Sequence, residues 1–405
     1  MSAREKPPRP IPFAEAQAQL VADVRPLGVE TVTLDAASGR FLAEDLVARR
    51  TQPAANLSAM DGYAVREDDL AGPWRVVGES AAGHPYPGPL SSGEAIRIST
   101  GALMPVDGGA VLLQENAERD GDELRLMSNE TPDARHIRRK GFDFCCGDVL
   151  LRQGSRLGPA QIALAISAGM HSACCRKLPQ ICILDSGDEL SSDPQNCEPH
   201  QIPASNGPML AALVAPLASS VRRIGPVADS LEALSRALAI AEGYDVLVTT
   251  GGASVGDHDL LRPALDAWGA EVTFWRVAMK PGKPLMIARR GEQWIVGLPG
   301  NPVSSFVGAH MFLTPLLRAL AGSSDPVAEP VSLPLASGMP ATGSRTEFIR
   351  ARLGPGGIAP IEQQDSSALR SLSRAQALIM RPAHASECKA GEMVPVYLLE
   401  NGPAA

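Results

Sequence analysis

Apolar positions along the chain change their spacing several times, and each change marks an element. Residues 13–24, FAEAQAQLVADV, carry apolar residues at helical spacing among good helix formers and predict a helix. VETVTL reads as a strand and AASGRFLAEDL as a short helix. From 52 to 142 short β-branched runs (WRVVGES, AIRIST, AVLLQE, ELRLMS) alternate with turn-rich pieces such as AAGHPYPGPLSSGE, the pattern of a small β-rich insert. Residues 143–178 return to helix, with Pro159 at the first turn of GPAQIALAISAG. Strands and helices then alternate: QICILD, NGPMLAALVAPLAS, VRRIGPV, SLEALSRALAIAEG, DVLVTT, HDLLRPALDAWG, a hairpin PLMIARRGEQWIVGL turning at Gly291, and the helix NPVSSFVGAHMFLTPLLRALAG. Asp229 and Glu232 have capping-box spacing before the second of these helices. Asn301 reads as the cap of the last one, with Pro302 at its first position. Such alternation predicts a mostly parallel sheet. The last 75 or so residues return to short strands and turns.

Composition narrows the function. A chain of 405 residues is long enough for about three ordinary domains. Aromatics at 4% and a formal net charge of −8 argue against a nucleic-acid surface, which needs stacking platforms and cationic grooves. An anionic ligand must therefore be met by a local cluster of Lys and Arg. No run of roughly 18 or more consecutive apolar residues suggests a membrane span. MSAREKPPRPIP lacks the apolar stretch of a signal peptide, so a cytoplasmic location is expected. The seven cysteines form no CxxC pair and read as free thiols in a reducing compartment rather than as a zinc or redox site.

Candidate chemistry gathers where strands end. DSGDEL (185–190), TTGGASVGDHD (249–259) and GLPGNPVSS (297–305) are polar or glycine-rich loops leaving strands, and the last opens a helix. Glycines let backbone N–H groups turn toward a phosphate, and a helix N-terminus favours negative charge. The carboxylates in these loops would repel a phosphate unless Glu189 and Asp259 share a hard cation such as Mg²⁺ with it. Asp188 and Asp257 read instead as helix caps, and His258 as a polar surface residue. MKPGKP (279–284) adds Lys280 and Lys283 across a Pro-Gly turn, the positive charge an oxyanion needs. There is no P-loop lysine motif, and GASVG is not a nucleophile elbow. In the insert, Asp61 and Thr100 each precede a glycine, which turn chemistry alone explains.

Taken together, SAMDGYA, TGALMPVDGGAVLLQE, SGDEL, SNGPML, GGASVGDHD, MKPGKP and GLPGNPVSS resemble, in order and spacing, the molybdopterin molybdenumtransferases, the MoeA type or gephyrin E domain. The resemblance runs from about residue 13 to the end and includes RTEFIRARL and QQDSSALRSLSRAQALIMRP. It implies a multidomain α/β and β protein. A linking and dimerisation domain of helical and extended pieces would cover 13–51 plus 143–178. The β-rich insert domain would cover 52–142, a central MogA-like α/β domain that binds molybdopterin 179–328, and a small C-terminal β domain 329–405. It also implies a reaction: molybdate and adenylylated molybdopterin give molybdenum cofactor and AMP, assisted by Mg²⁺.

By position in the motifs, Asp259 and Glu189 would be the metal-assisting carboxylates. Ser254, Lys280, Lys283, Pro284, Arg350 and Ser373 would hold molybdate or the pterin phosphate, beside Gly251, Gly252 and Pro299 of the loops. Asn206 and Asp229 would line the pterin pocket. Asp61 and Thr100 would reach the same cleft from the other subunit of a homodimer, and Asp143 matches a further acidic position. Departures from the family pattern are Asp185, Ser186 for threonine, Gly109 for aspartate, and Phe142 for an acidic residue. The alternatives are the related molybdopterin adenylyltransferase and a non-catalytic molybdopterin binder or scaffold. The intact Glu189, Asp259 and both lysines argue against a scaffold, and the extra domains argue against the adenylyltransferase. Partners implied are the adenylyltransferase and recipient molybdoenzymes.

Overall fold

Ile181, Cys182, Ile183 and Leu184 are all fully buried, as are Val246, Leu247, Val248, Ile295 and Val296. Continuous apolar runs of this kind mark strands covered on both faces. The computed structural model describes residues 10–127, 129–251 and 260–399, and in it these runs build one six-stranded sheet. Its strands are β1 (Gln180–Ser186), β2 (Ser220–Val227), β3 (Val246–Thr250), β4 (Glu271–Trp275), β5 (Met286–Arg290) and β6 (Gln293–Leu298). The order is β2-β1-β3-β6-β5-β4. The pairs β1/β2, β1/β3 and β3/β6 are parallel, and the hairpin β5/β6 and strand β4 are antiparallel. Helices α1 (Asn206–Val214), α2 (Leu231–Ile240) and α3 (Leu261–Ala267) follow β1, β2 and β3, and α4 (Pro302–Gly308) follows β6. The strand order reverses between β1 and β3, which makes the carboxyl edge there a topological switch point.

The chain forms two further six-stranded sheets. The insert supplies the sheet containing Gly62–Arg66, Trp74–Ser80, Glu94–Ile98, Gly108–Leu113, Ala117–Asp120 and Glu123–Leu126. The C-terminal sheet contains Val331–Pro334, Thr346–Gly354, Gly357–Pro360, Ala377–Arg381 and Met393–Leu398. Its sixth strand, Met279–Lys280, is borrowed from the central region and runs parallel to Thr346–Gly354, with Lys280 opposite Glu347. The N-terminal helix Phe13–Ala22 seals this junction. Phe13 meets Phe312 edge-on at 5.7 Å and Phe348 of the C-terminal sheet at 4.9 Å.

Local expectations were met unevenly. AASGRFLAEDL is not a helix: a 3-10 turn covers Leu34–Ala36, and then Phe41 and Leu42 form bridges to Arg156 and Cys175. Strand pairing takes the backbone groups a helix would have used. Asp229 is not the cap of α2; Ser230 is, its Oγ accepting the Ala233 N–H at 3.2 Å. Asn301 stands at the cap position of α4 without a side-chain cap bond, and its Nδ2 donates to Ser366 Oγ in the C-terminal region at 3.0 Å.

The helix begun by α4 continues through a π-helical stretch, Ala309–Leu313, into Thr314–Leu320. Pro315 explains the irregularity, since it has no N–H to offer the Met311 carbonyl. Gln17 of the N-terminal helix fills the gap, donating Nε2 to Met311 O at 2.8 Å. Among the described residues Pro302–Leu320 is long and apolar enough to cross a membrane, but 89% of it is buried inside the protein, the mark of a core helix.

His310 lies in that π-helical stretch, stacked on Phe306 with ring centroids 6.1 Å apart. Burial, aided by Arg318, lowers its pKa to about 4. The folded chain therefore favours the neutral ring, and this contribution is complete above the ordinary value of 6.5 and is lost as pH falls toward 4. Unfolding free energy measured across that window should fall by roughly 3 kcal/mol more in the wild type than in His310→Gln. Equal slopes for the two proteins would remove His310 from the pH dependence.

Candidate functional site

Strands β2, β1, β3 and β6 are parallel, so their carboxyl ends emerge along one edge of the sheet. After β1, Gly187 adopts φ +151°, and a Cβ there would stand 2.5 Å from Glu189 Oε2. Only glycine lets the Glu189 carboxylate fold back over the turn. The Gly187 N–H donates to Val227 O at 3.1 Å, and the Asp229 N–H donates to Asp188 Oδ1 at 3.1 Å. Asp188 therefore caps no helix; it ties the end of β2 to the end of β1. This brings Asp188, Glu189 and Asp229 together. Burial pushes the Asp229 carboxyl up, and repulsion from Asp188 and Glu189 adds to the effect against the backbone bond at Asp188.

Beyond β3, Gly251 adopts φ +85°, and a Cβ there would collide with Ser186 O at 2.5 Å. Gly252, Ser254, Asp257, His258 and Asp259 lie outside the described residues. Beyond β6, Pro299 is buried and Gly300 exposed, and a Cβ on Gly300 would stand 3.7 Å from Gly251 Cα. Asn206, first in α1, donates Nδ2 to Gly300 O at 2.7 Å. Its Oδ1 is buried without a partner, an acceptor available to a ligand. The ends of β1 and β3 and the loop after β6 thus meet around Gly251 and Asn206.

The C-terminal region closes one side. Ser366 O accepts the Val303 N–H at 3.1 Å, satisfying a donor in the first turn of α4. A cavity of about 460 Å³ lies between α1, α4 and the C-terminal chain, lined by Met209, Phe306, Leu369, Arg370, Leu372 and Ser373. The Ser373 hydroxyl donates to Arg370 O at 3.0 Å. Gly282 packs against α4, a Cβ on it falling 3.4 Å from Ser304 O, and this seats the MKPGKP turn beside the same helix. Lys280 Nζ pairs with Glu347 at 3.3 Å, Lys283 is exposed, and Pro284 is half-buried.

Other residues expected at the site stand elsewhere or face inward. Arg350 is only 1% exposed, and its guanidinium donates to Asp365 O at 2.9 Å, Ala368 O at 3.2 Å and Gln364 Oε1 at 3.5 Å. In this conformation it braces the loop that carries Ser366. Asp61 and Thr100 meet each other in the insert, the Thr100 N–H donating to Asp61 Oδ1 at 2.7 Å. That N–H, then the Thr100 hydroxyl and Arg97, hold the Asp61 carboxyl below the usual range. Asp143 is exposed, and the neighbouring Phe142 is 76% exposed. Sequence reading passed over Asp188, Ser366 and the cavity walls Met209, Phe306 and Leu372. The first was masked by its helix-cap appearance, Ser366 is one of several serines in its motif, and the three apolar residues resemble any core.

Among the described residues no group of three or more His, Cys, Asp or Glu side chains forms a ready-made metal cage. Glu189, one of the two carboxylates expected at a metal, supplies the hard oxygen donors that a divalent cation takes.

Comparison with known proteins accounts for nearly the whole chain. Residues 11–169 match the family described as MoeA N-terminal region (domain I and II), 182–319 a probable molybdopterin binding domain, and 332–399 the MoeA C-terminal region (domain IV). The molybdopterin molybdenumtransferase of Haemophilus influenzae is 35% identical over 300 residues, 73% of this chain and 74% of that protein. The Bacillus subtilis protein of the same name is 31% identical over 410 residues, 97% of this chain and 95% of its own length. The crystal structure of the molybdopterin biosynthesis moeA protein from Pyrococcus horikoshii OT3 superposes with a TM-score of 0.82 at 27% identity, covering 96% of this chain and all of that one.

The acidic cluster carries a stability cost of its own. Because the folded state raises the Asp229 pKa, ionising this group favours the unfolded chain, and stability is lost as pH rises through its titration. Asp229→Asn should raise the thermal midpoint slightly at pH 7, a shift corresponding to under ~1 kcal/mol of stability given its exposure, and change it less at pH 4. A lower midpoint at pH 7 would contradict the repulsion described.

Proposed function

We propose that this chain, which belongs to the molybdopterin molybdenumtransferase family, inserts molybdenum from molybdate into adenylylated molybdopterin and releases AMP. The observation that carries this reading is the meeting of the acidic loop after β1, Gly251 at the end of β3 and the GLPGN loop after β6, near a cavity walled on one side by the C-terminal region. Backbone N–H groups in these turns and the first turn of α4 suit phosphate oxygens. Asn206, with its unpartnered Oδ1, and Asp229 would line the pterin pocket. Lys280, Lys283 and Ser254 would receive molybdate, with Ser373 on the cavity wall and Pro284 shaping the turn. Lys280 would exchange Glu347 for the incoming dianion, since an exposed ion pair of this kind is worth only about 0–1 kcal/mol.

Glu189 and Asp259 would hold Mg²⁺, and Asp188, fixed by the Asp229 N–H, would keep the loop in place. Bound there, Mg²⁺ would neutralise charge on the pyrophosphate link. Arg350 would act through the loop it braces.

A homodimer is part of this proposal. The helix Pro159–Ser167 buries only Ala165, and Ile166 is 52% exposed. Val47 and Val149, register partners in a two-stranded ladder, are 40% and 43% exposed. A second copy covering this face would bring Asp61 and Thr100 of the insert to the cleft of its neighbour. The adenylyltransferase and recipient molybdoenzymes are further partners in the same pathway, and a cytoplasmic location fits such a role.

Purified protein given adenylylated molybdopterin, Mg²⁺ and molybdate should release AMP only when molybdate is present. Chelation should stop the reaction and added Mg²⁺ restore it. Glu189→Gln should slow it by about 10²-fold, the scale of losing one preorganised charged group. Adenylylation of molybdopterin from ATP, or binding without turnover, would replace the proposal. Sedimentation should give a dimer for the wild type and a shift toward monomer for Ile166→Glu; a wild-type monomer would rule out the shared cleft.

A further inference from the structure

Among the described residues Asp185 is the one acidic side chain that lies in the interior, at 6% exposed. It stands near the end of β1, at the start of the acidic loop motif. Thr250, the last residue of β3, donates its hydroxyl to Asp185 Oδ1 at 2.6 Å. Gly207, the second residue of α1, donates its N–H to the same carboxylate, and a Cβ on Gly207 would fall 2.1 Å from Oδ2. On the third side Gly225 of β2, at φ +121°, approaches so closely that a Cβ would lie 2.4 Å from Asp185 O. One residue thus touches β2, β3 and α1 together. Those segments carry Asp229, Gly251 and Asn206 within four residues of the contacts.

A buried carboxylate is costly unless hydrogen-bonded. Burial pushes this carboxyl up, and the Thr250 hydroxyl, the Gly207 N–H and Arg223 act against that rise. Apolar side chains fill β1 from Ile181 to Leu184, so a packing role alone would be served by another of the same kind.

We propose that Asp185 is a positioning residue of the proposed site: its carboxylate locks the first turn of α1 and the end of β3 to β1, and so aims Asn206 and Gly251 at the ligand. The inference rests on the functional reading above. Asp185 itself stays out of contact with substrate; its neighbours in the fold do the binding. An amide can replace it, since a flipped Asn would accept the Gly207 N–H and donate to the Thr250 hydroxyl.

The test uses the full-length protein and its variants Asp185→Leu, Asp185→Asn and Thr250→Val. Asp185→Leu should raise KM for adenylylated molybdopterin roughly tenfold while kcat changes by less than about threefold. Asp185→Asn should return KM to near the wild-type value. Amide exchange should quicken across Asn206–Leu210 and Val246–Gly251 in Asp185→Leu and return toward normal in Asp185→Asn. Should Asp185→Leu not fold, Thr250→Val removes one bond of the tie at nearly constant volume and should give a KM rise of about threefold, with faster exchange in the same segments. Unchanged KM and exchange in the folded variants, or an Asn variant as impaired as the Leu variant, would overturn the proposal. A wild type that releases no AMP with molybdate would end the functional reading, and amide exchange would still decide whether the tie exists.

Discussion

Parallel strands leave a sheet at its carboxyl edge, and in this molecule that constraint decides where everything polar can go. Strands β2, β1, β3 and β6 all run the same way, so Asp229, Asp188 and Glu189, Gly251, and Pro299 to Asn301 are delivered to a common edge. Register refines the placement. Ser186 lies opposite Val227, and the bulge between Leu184 and Ser186 lets the Gly187 N–H reach Val227 O. Had β6 joined antiparallel, its GLPGN loop would have opened at the far end of the sheet, away from Asn206.

Charge at that edge sets a second problem. For the proposed function, a protein of net charge −8 would have to attract an anionic ligand to a place that already holds several carboxylates. Burial first, and then repulsion from Asp188 and Glu189, push the Asp229 carboxyl up. The cations proposed for that ligand, Lys280 and Lys283, come from a different piece of chain. Met279–Lys280 is a strand of the C-terminal sheet, so the position of Lys280 depends on how that sheet packs against the central one.

That packing has identifiable fasteners. Phe13 contacts both Phe312 and Phe348, and edge-on aromatic pairs of this kind contribute about 0.5–1.5 kcal/mol each beyond burial. Polar bonds from Asn301 and Val303 to Ser366 join α4 to the loop braced by Arg350. Fully buried guanidinium donors spent on backbone carbonyls make that loop rigid, which a cavity wall requires.

Periodicity alone carried the fold class. Apolar runs of strand length alternating with helical patterns identified every strand of the central sheet except β4, together with the hairpin turn at Gly291 (φ +58°). The motifs carried the family as well, because long collinear motifs are seldom shared by chance. What needed the folded chain was each choice between equally good local partners. Ser230 rather than Asp229 caps α2, leaving the Asp229 carboxylate free at the strand end. Asn301 bonds Ser366, 65 residues away, instead of its own helix. Arg350 turns inward, although its sequence looks like that of any surface arginine on a strand. Local sequence sets which hydrogen bonds a side chain can make; only tertiary contact decides which of them it does make, because the competing partners lie far apart along the chain and differ by little in free energy.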